Sequence, residues 1–117
     1  MTIMDDEMLD KIYAHNCVGS LAVLNNDGDI YENHLPITEE LMAKMVIATV
    51  RIKLQLDTVG RETKGFLLKS EHIAFLILFF PDFIVISEVV EGGSANKVEK
   101  IIRETLEGVT LGDEDAE

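Results

Sequence analysis

The pattern of apolar and polar residues is most informative between Thr38 and Val59, where it repeats with the period of an α-helix. Thr38 is a suitable N-cap for this long helix, and Gly60 is placed to end it. The helix carries two apolar stripes. The first predicts a contact with a sheet and comprises Leu41, Met45, Ala48, Ile52, Leu56 and Val59. The second lies on a different side and comprises Ala43, Ile47, Val50 and Leu54.

Polar residues separate the two stripes along both edges. One edge holds Glu40, Lys44, Arg51, Gln55 and Thr58. The other edge holds Thr49, Lys53 and Asp57. A small domain can cover one stripe with its own sheet, so the second stripe predicts another partner.

Shorter apolar segments separated by turn residues flank the long helix. Before it, the pattern predicts a helix over 5–15 and a hairpin of strands over 18–24 and 30–35, joined at Asn25 to Asp29. After it, strands are predicted over 63–69, 72–80 and 83–90, followed by a helix that Ser94 caps and Gly108 ends. The strands at 72–80 and 83–90 are apolar without alternation, which predicts helices on both faces of the sheet.

These elements predict an α+β fold, a three-layer sandwich around a five-stranded antiparallel sheet. The order is helix, strand, strand, long helix, three-strand meander, helix. The long helix should cover one face of the sheet, and the first and last helices should cover the other. We expect one domain over residues 1–110 and a disordered acidic tail over residues 111–117.

Net charge, cysteine content and the length of the apolar runs argue against several classes of partner and location. The 117 residues carry a formal net charge of −12, which argues against nucleic acid and an anionic membrane surface as partners. Cys17 is the only cysteine, so no intrachain disulfide is possible. The acidic N-terminus does not resemble a signal peptide, and the apolar run from Ile73 to Phe80 is too short to span a bilayer. We therefore expect a soluble, cytoplasmic protein.

The hairpin segment GSLAVLNNDGDIYEN, with its Asp-Gly turn, and the long helix followed by a hairpin and a closing helix resemble the roadblock/dynein light-chain family. This family belongs to the profilin-like α/β sandwiches, and the resemblance covers roughly residues 5–108. Its members generally dimerise by pairing the third strand, here Thr63 to Lys69, with its symmetry mate and laying the long helices side by side. Carried onto this chain, the resemblance implies an interface of Ala43, Ile47, Val50, Leu54, Thr63, Gly65 and Leu67.

The resemblance also implies a function without catalysis. Roadblock-type proteins often act on small Ras-like GTPases, so we expect a dimeric scaffold or regulator that binds such a GTPase or its complex. A homodimer is expected, and a heterodimer stays an alternative. The residues at the rim of the helix contact would be available to the partner: Glu40, Lys44, Arg51 and Gln55.

Candidates for catalysis or metal binding are sparse. His15 and Cys17 are close in sequence but have no second pair of ligands nearby, and His34 and His72 show no ligand set. The segment NNDGD lacks the spaced oxygen ligands of a calcium loop. Neither a GxGxxG motif nor a P-loop lysine occurs, so no catalytic residue, metal or cofactor is predicted.

The alternative function is a small-molecule-binding or sensory domain, because profilin-like sheets can enclose a ligand. Phenylalanines of the later strands could line such a cavity, although packing of the core is the simpler use for them. They are Phe66, Phe75, Phe79, Phe80 and Phe83. An enzyme is a third hypothesis, for which the sequence offers no nucleophile beside a base.

Overall fold

The computed structural model describes residues 2–60 and 64–112. Within these ranges the chain forms two layers of helix around one main sheet, as the sequence predicts. The elements, in order, are β1 Thr2–Ile3, α1 Asp6–Tyr13, β2 Val18–Asn25, β3 Ile30–Asn33, α2 Glu39–Thr58, β4 Gly65–Lys69, β5 Ala74–Phe79, β6 Phe83–Val89, α3 Ala95–Leu106 and β7 Val109–Thr110.

The main sheet has five strands in the order β3-β2-β6-β5-β4, and every neighbouring pair is antiparallel. The hairpin β2–β3 and the meander β4–β5–β6 are joined by pairing of β2 with β6. The predicted α+β architecture and antiparallel sheet are therefore confirmed. The strands β3 and β4 form the two edges of the sheet.

Each face of the sheet carries its own apolar cluster, because β5 and β6 are apolar on both sides. The first cluster lies under α1 and α3 and includes Leu9, Ile12, Leu21, Phe83, Val98, Ile102 and Leu106. The second lies under α2 and includes Ala22, Leu24, Met42, Phe75, Ile77, Ile84 and Ile86. The long helix thus covers one face, and the first and last helices cover the other.

The helices begin at the caps that the sequence predicts. The Thr38 hydroxyl accepts a hydrogen bond from the Leu41 amide at 3.1 Å, which caps α2. Ser94 caps α3 in the same way, through the Lys97 amide at 3.3 Å. After α2 the chain turns at Gly60, whose φ of +76° favours glycine.

A short parallel ribbon joins β1 to β7 and was not predicted from the sequence. Two residues per strand are too few to show a period, and the pairing joins opposite ends of the chain. The Met4 amide extends the ribbon by donating to the carbonyl oxygen of Thr110 at 2.8 Å. Leu111 packs on the first cluster, which places it with the folded domain and not with the predicted tail. The remainder of that tail, residues 113–117, lies outside the described residues.

Candidate functional site

The orientation of α2 decides which of its side chains face solvent. Met42 and Thr49 are each only 1% exposed and face the sheet. Lys53, one turn further on, places its ammonium group 5.9 Å from the centroid of the Phe79 ring and 3.3 Å from a carboxylate oxygen of Asp57. A lysine can bury its aliphatic stem in this way while its charge stays paired. The side of α2 that contacts the sheet therefore includes two residues that the sequence analysis assigned to a polar edge.

The first predicted stripe is consequently only half correct. Met45, Ile52 and Leu56 are half-buried. The others are exposed: Leu41 at 48%, Val59 at 68%, and Ala48. The physical reason is rotation, because a helix centred on Met42 and Thr49 turns the predicted stripe about 70° away from the sheet. We call the exposed residues Leu41, Ala48 and Val59 the strand-side flank.

The second predicted stripe is largely exposed, with Ile47 at 52% and Leu54 at 61%. Ala43 is also exposed, and we call Ala43, Ile47 and Leu54 the turn-side flank. Val50 is half-buried instead, because it borders the β2–β3 turn.

Gly28 explains that contact with the β2–β3 turn. A Cβ atom at Gly28 would lie 3.1 Å from a methyl group of Val46 and 3.4 Å from one of Val50. The φ of Gly28 is +93°, so its backbone conformation also favours glycine. The turn therefore fits closely against one side of α2.

A polar ridge runs along the outward surface of α2 between the two flanks. It consists of the four residues predicted to contact a partner, and all are exposed: Glu40, Lys44, Arg51 and Gln55. Lys44 and Glu40 form an ion pair at 3.4 Å, one turn apart. Both side chains are well exposed, so this pair contributes little to stability and leaves the ridge free to rearrange.

Strand β4 forms the sheet edge next to the predicted interface. In the described part of the chain it pairs only with β5, so one row of its backbone amides and carbonyls is unpaired within the sheet. Leu68 pairs with Phe75 of the second cluster and therefore lies on the α2 face, 38% exposed. Leu67 is 43% exposed and lies on the opposite face.

Two hydrogen bonds fix the backbone just before β4. The carbonyl oxygen of Lys64 accepts hydrogen bonds from the Phe79 amide at 2.9 Å and from the Arg103 guanidinium at 2.8 Å. Gly65, a predicted interface residue, is half-buried, and a Cβ atom there would overlap the carbonyl oxygen of Ile77. Thr63, also predicted for the interface, lies outside the described residues.

The histidines and the cysteine considered for catalysis or metal binding form no common cluster in the part of the chain that the structure describes. The Cys17 amide donates to Nδ1 of His15 at 3.1 Å, so these two residues are linked within a local turn. His34 pairs with Glu32 at 2.9 Å, and the two ring nitrogens of His72 face different glutamates. Among the described residues, no three His, Cys, Asp or Glu side chains are grouped to hold a metal ion. Within the same ranges, none of the helices has the length and apolar character needed to cross a membrane.

The phenylalanines considered for a ligand cavity are used in packing. Phe75 and Phe79 belong to the second cluster, and Phe66 packs against it. Phe83 is fully buried in the first cluster, where Phe80 stacks on it with ring centroids 4.6 Å apart. This use supports the simpler of the two interpretations that the sequence allowed.

Comparison with solved structures identifies the architecture. A Roadblock/LC7 domain from Streptomyces avermitilis superposes with a TM-score of 0.69 at 9% identity, covering 92% of this chain and 94% of that chain. MglB in a tetrameric arrangement gives 0.69 at 9% identity, covering 92% and 90%. The gliding protein MglB from Thermus thermophilus gives 0.68 at 9% identity, again covering 92% and 90%.

These similarities show that the chain has the roadblock fold, which confirms at the level of fold the resemblance seen in its sequence. No protein-family profile matches the chain, and no curated protein sequence does.

Proposed function

We propose that this protein is a non-enzymatic, dimeric scaffold or regulator of roadblock type that binds a small Ras-like GTPase or its complex. The roadblock fold and the exposed apolar surface of α2 support this proposal. Among the structural neighbours, MglB is described as a gliding protein and, in one structure, as a tetrameric arrangement. These descriptions agree with a role that depends on self-association.

The observation that carries the proposal is the open edge of β4 in a molecule whose long helix has exposed apolar side chains on both flanks. An unpaired edge strand exposes a row of hydrogen-bonding groups to which another strand can pair. Pairing of β4 with its symmetry mate would satisfy these groups and bring two copies of α2 together. Large apolar side chains on α2 would then leave water, which favours association.

The sequence-based proposal for this interface consists of Ala43, Ile47, Val50, Leu54, Thr63, Gly65 and Leu67. Exposure of Ala43, Ile47, Leu54 and Leu67 supports their availability for contact. Glu40, Lys44, Arg51 and Gln55 are proposed to bind the second partner, because they project outward from α2 and are not engaged with the sheet.

Light scattering coupled to size-exclusion chromatography tests the dimer. At micromolar concentration we expect twice the chain mass of 13.1 kDa. Leu68→Lys places like charges near each other across a β4–β4 pair and should give a monomer. Ile30→Lys is the matched control, since Ile30 is 52% exposed on the opposite edge strand and its variant should stay dimeric. A monomeric wild-type protein would disprove the dimer.

Affinity capture from the source organism tests the GTPase partner. The wild-type protein should retain a small Ras-like GTPase, identified by mass spectrometry, in the presence of GDP or of a non-hydrolysable GTP analogue. Arg51→Glu should reduce this retention, whereas Lys97→Glu, on the exposed start of α3, should not. Retention of no such GTPase under either nucleotide would contradict this part of the proposal.

A further inference from the structure

We infer that, in the proposed dimer, the second copy of the chain covers the strand-side flank of α2 and leaves the turn-side flank exposed. This inference rests on the proposed function and assigns only one of the two apolar flanks to the dimer contact. It also differs from the sequence-based assignment, which placed Ala43, Ile47, Val50 and Leu54 in the dimer contact.

The first argument is the direction in which each flank points. Val46 and Val50 contact the β2–β3 turn at Gly28, so the turn-side flank lies on the β3 side of α2. The strands β3 and β4 are at opposite edges of the sheet. Since α2 lies over the sheet between these edges, its other side points toward β4. Leu41, Ala48 and Val59 are on that side.

The second argument is continuity with the open edge. Leu68 faces the α2 side of β4 and is 38% exposed, and Phe66, two residues earlier on the same side, packs against the second cluster with Met45. The α2 face of β4 is therefore apolar and partly exposed on the side toward which the strand-side flank points. A strand added to β4 extends the sheet in the direction in which this flank points. The helix belonging to that strand must then approach Leu41, Ala48 and Val59.

The third argument is charge. On a helical projection, the residues around the strand-side flank are Met45, Ile52, Gln55 and Leu56, with Lys44 as the one charged residue within about 60° of its centre. The turn-side flank is bordered by Glu39, Glu40, Arg51 and Asp57. The core of a protein interface is typically depleted of charged residues, whereas its rim is polar. The strand-side flank, with one charged neighbour against four, is therefore the better surface for a second copy.

Two neighbouring residues provide a matched test, because Ile47 and Ala48 lie on opposite flanks and are both exposed in the monomer. The dissociation constant of the dimer is measured by sedimentation equilibrium. Ala48→Asp should raise it about 100-fold or more, because an unpaired carboxylate would be buried at the contact. Ile47→Asp should change it by less than about threefold, because this position stays in solvent.

Cysteine cross-linking gives a second measurement that needs no disruptive substitution. In a Cys17→Ser background, Ala48→Cys is introduced near the middle of α2, where the two copies of this helix would meet in a dimer with two-fold symmetry. Mild oxidation should convert it to a covalent dimer, while Ile47→Cys should stay uncrosslinked.

The outcomes separate this inference from the dimer proposal itself. A monomeric wild-type protein would overturn the dimer and the inference together. A dimeric wild-type protein that is dissociated by Ile47→Asp, or that is unaffected by Ala48→Asp, would overturn the inference alone. Cross-linking through Ile47→Cys and not through Ala48→Cys would do the same.

Discussion

The two faces of the sheet are covered in different ways. On one face, α3 buries Val98, Ile102 and Leu106 among its 12 residues, and α1 adds Leu9 and Ile12. On the other face, α2 has 20 residues but buries only Met42 and Thr49. The longest of the described helices therefore has the smallest fraction of fully buried residues.

This difference separates the helices that serve the core from the helix on which the proposed interaction depends. The apolar residues of α1 and α3 lie on single stripes, each of which is buried or half-buried in the first cluster. Those of α2 are spread around the helix, so no single contact with the sheet can cover them. Exposed apolar residues on a regular, well-capped helix are typical of a surface that binds another protein. The comparison can be tested by substitutions that affect the two faces unequally.

The largest expected effect comes from two isoleucines on opposite faces. Ile102→Ala in α3 should lower the free energy of unfolding by about 2–5 kcal/mol, because it leaves a cavity in the first cluster. Ile47→Ala in α2 should change it by less than about 0.5 kcal/mol, because the side chain is 52% exposed. Urea denaturation followed by circular dichroism measures both. Equal losses would contradict the contrast between the two faces.

A smaller effect is expected at Thr49, where α2 meets the sheet. Its hydroxyl is buried and has no hydrogen-bond partner among the described residues. Thr49→Val replaces the hydroxyl with a methyl group of similar size and should raise the free energy of unfolding by about 1 kcal/mol. Thr58→Val is the control, because the Thr58 hydroxyl is exposed and donates to the carbonyl oxygen of Leu54 at 2.8 Å. A loss of stability in Thr49→Val would show that this hydroxyl is satisfied.

The smallest effect concerns the α1 side of the molecule at alkaline pH. Burial raises the pKa of Tyr13 above its ordinary value of 10.0, and the carboxylates of Glu32 and Asp10 add to the increase. The folded state thus holds this proton more tightly than the unfolded state. The contribution of this bound proton to the free energy of unfolding is fully present below pH 10.0. It is lost as the pH rises through the pKa of Tyr13 in the folded state.

Tyr13→Phe removes this titration, so the variant should lose less stability than the wild-type protein as the pH rises above 10.0. Thermal unfolding at a series of pH values measures the difference. Tyr31→Phe, at an exposed position on β3, serves as the control and should follow the wild-type profile. Parallel profiles for wild type and Tyr13→Phe would contradict the prediction.

Much of the fold was predictable from local patterns. The caps at Thr38 and Ser94, the Asn-Asp-Gly turn and the doubly apolar strands β5 and β6 each act over a few residues, so the sequence shows them directly. The order of elements then left few ways to build a sheet. The β1–β7 ribbon was missed because its pairing joins the two ends of the chain.

The candidate site was predicted less completely. The sequence showed that α2 has more apolar surface than one contact can cover, and Ala43, Ile47 and Leu54 are exposed, as a surface free for a partner requires. It did not show that Leu41, Ala48 and Val59 are exposed as well. The sequence does contain a pattern that predicts the observed rotation of α2, because Met42, Val46, Thr49 and Lys53 are spaced to lie on one face of a helix. Counting Thr49 and Lys53 as polar concealed it.

The sequence by itself therefore determined that α2 forms, where it begins and ends, and that it has more apolar residues than its own sheet covers. Only the tertiary structure decided its rotation. The orientation is set by the close fit of Val46 and Val50 against the turn at Gly28 and by the contact of the Lys53 ammonium group with the Phe79 ring. Both contacts join residues distant in sequence, and side-chain shape in such contacts is not encoded in a pattern of apolar and polar positions.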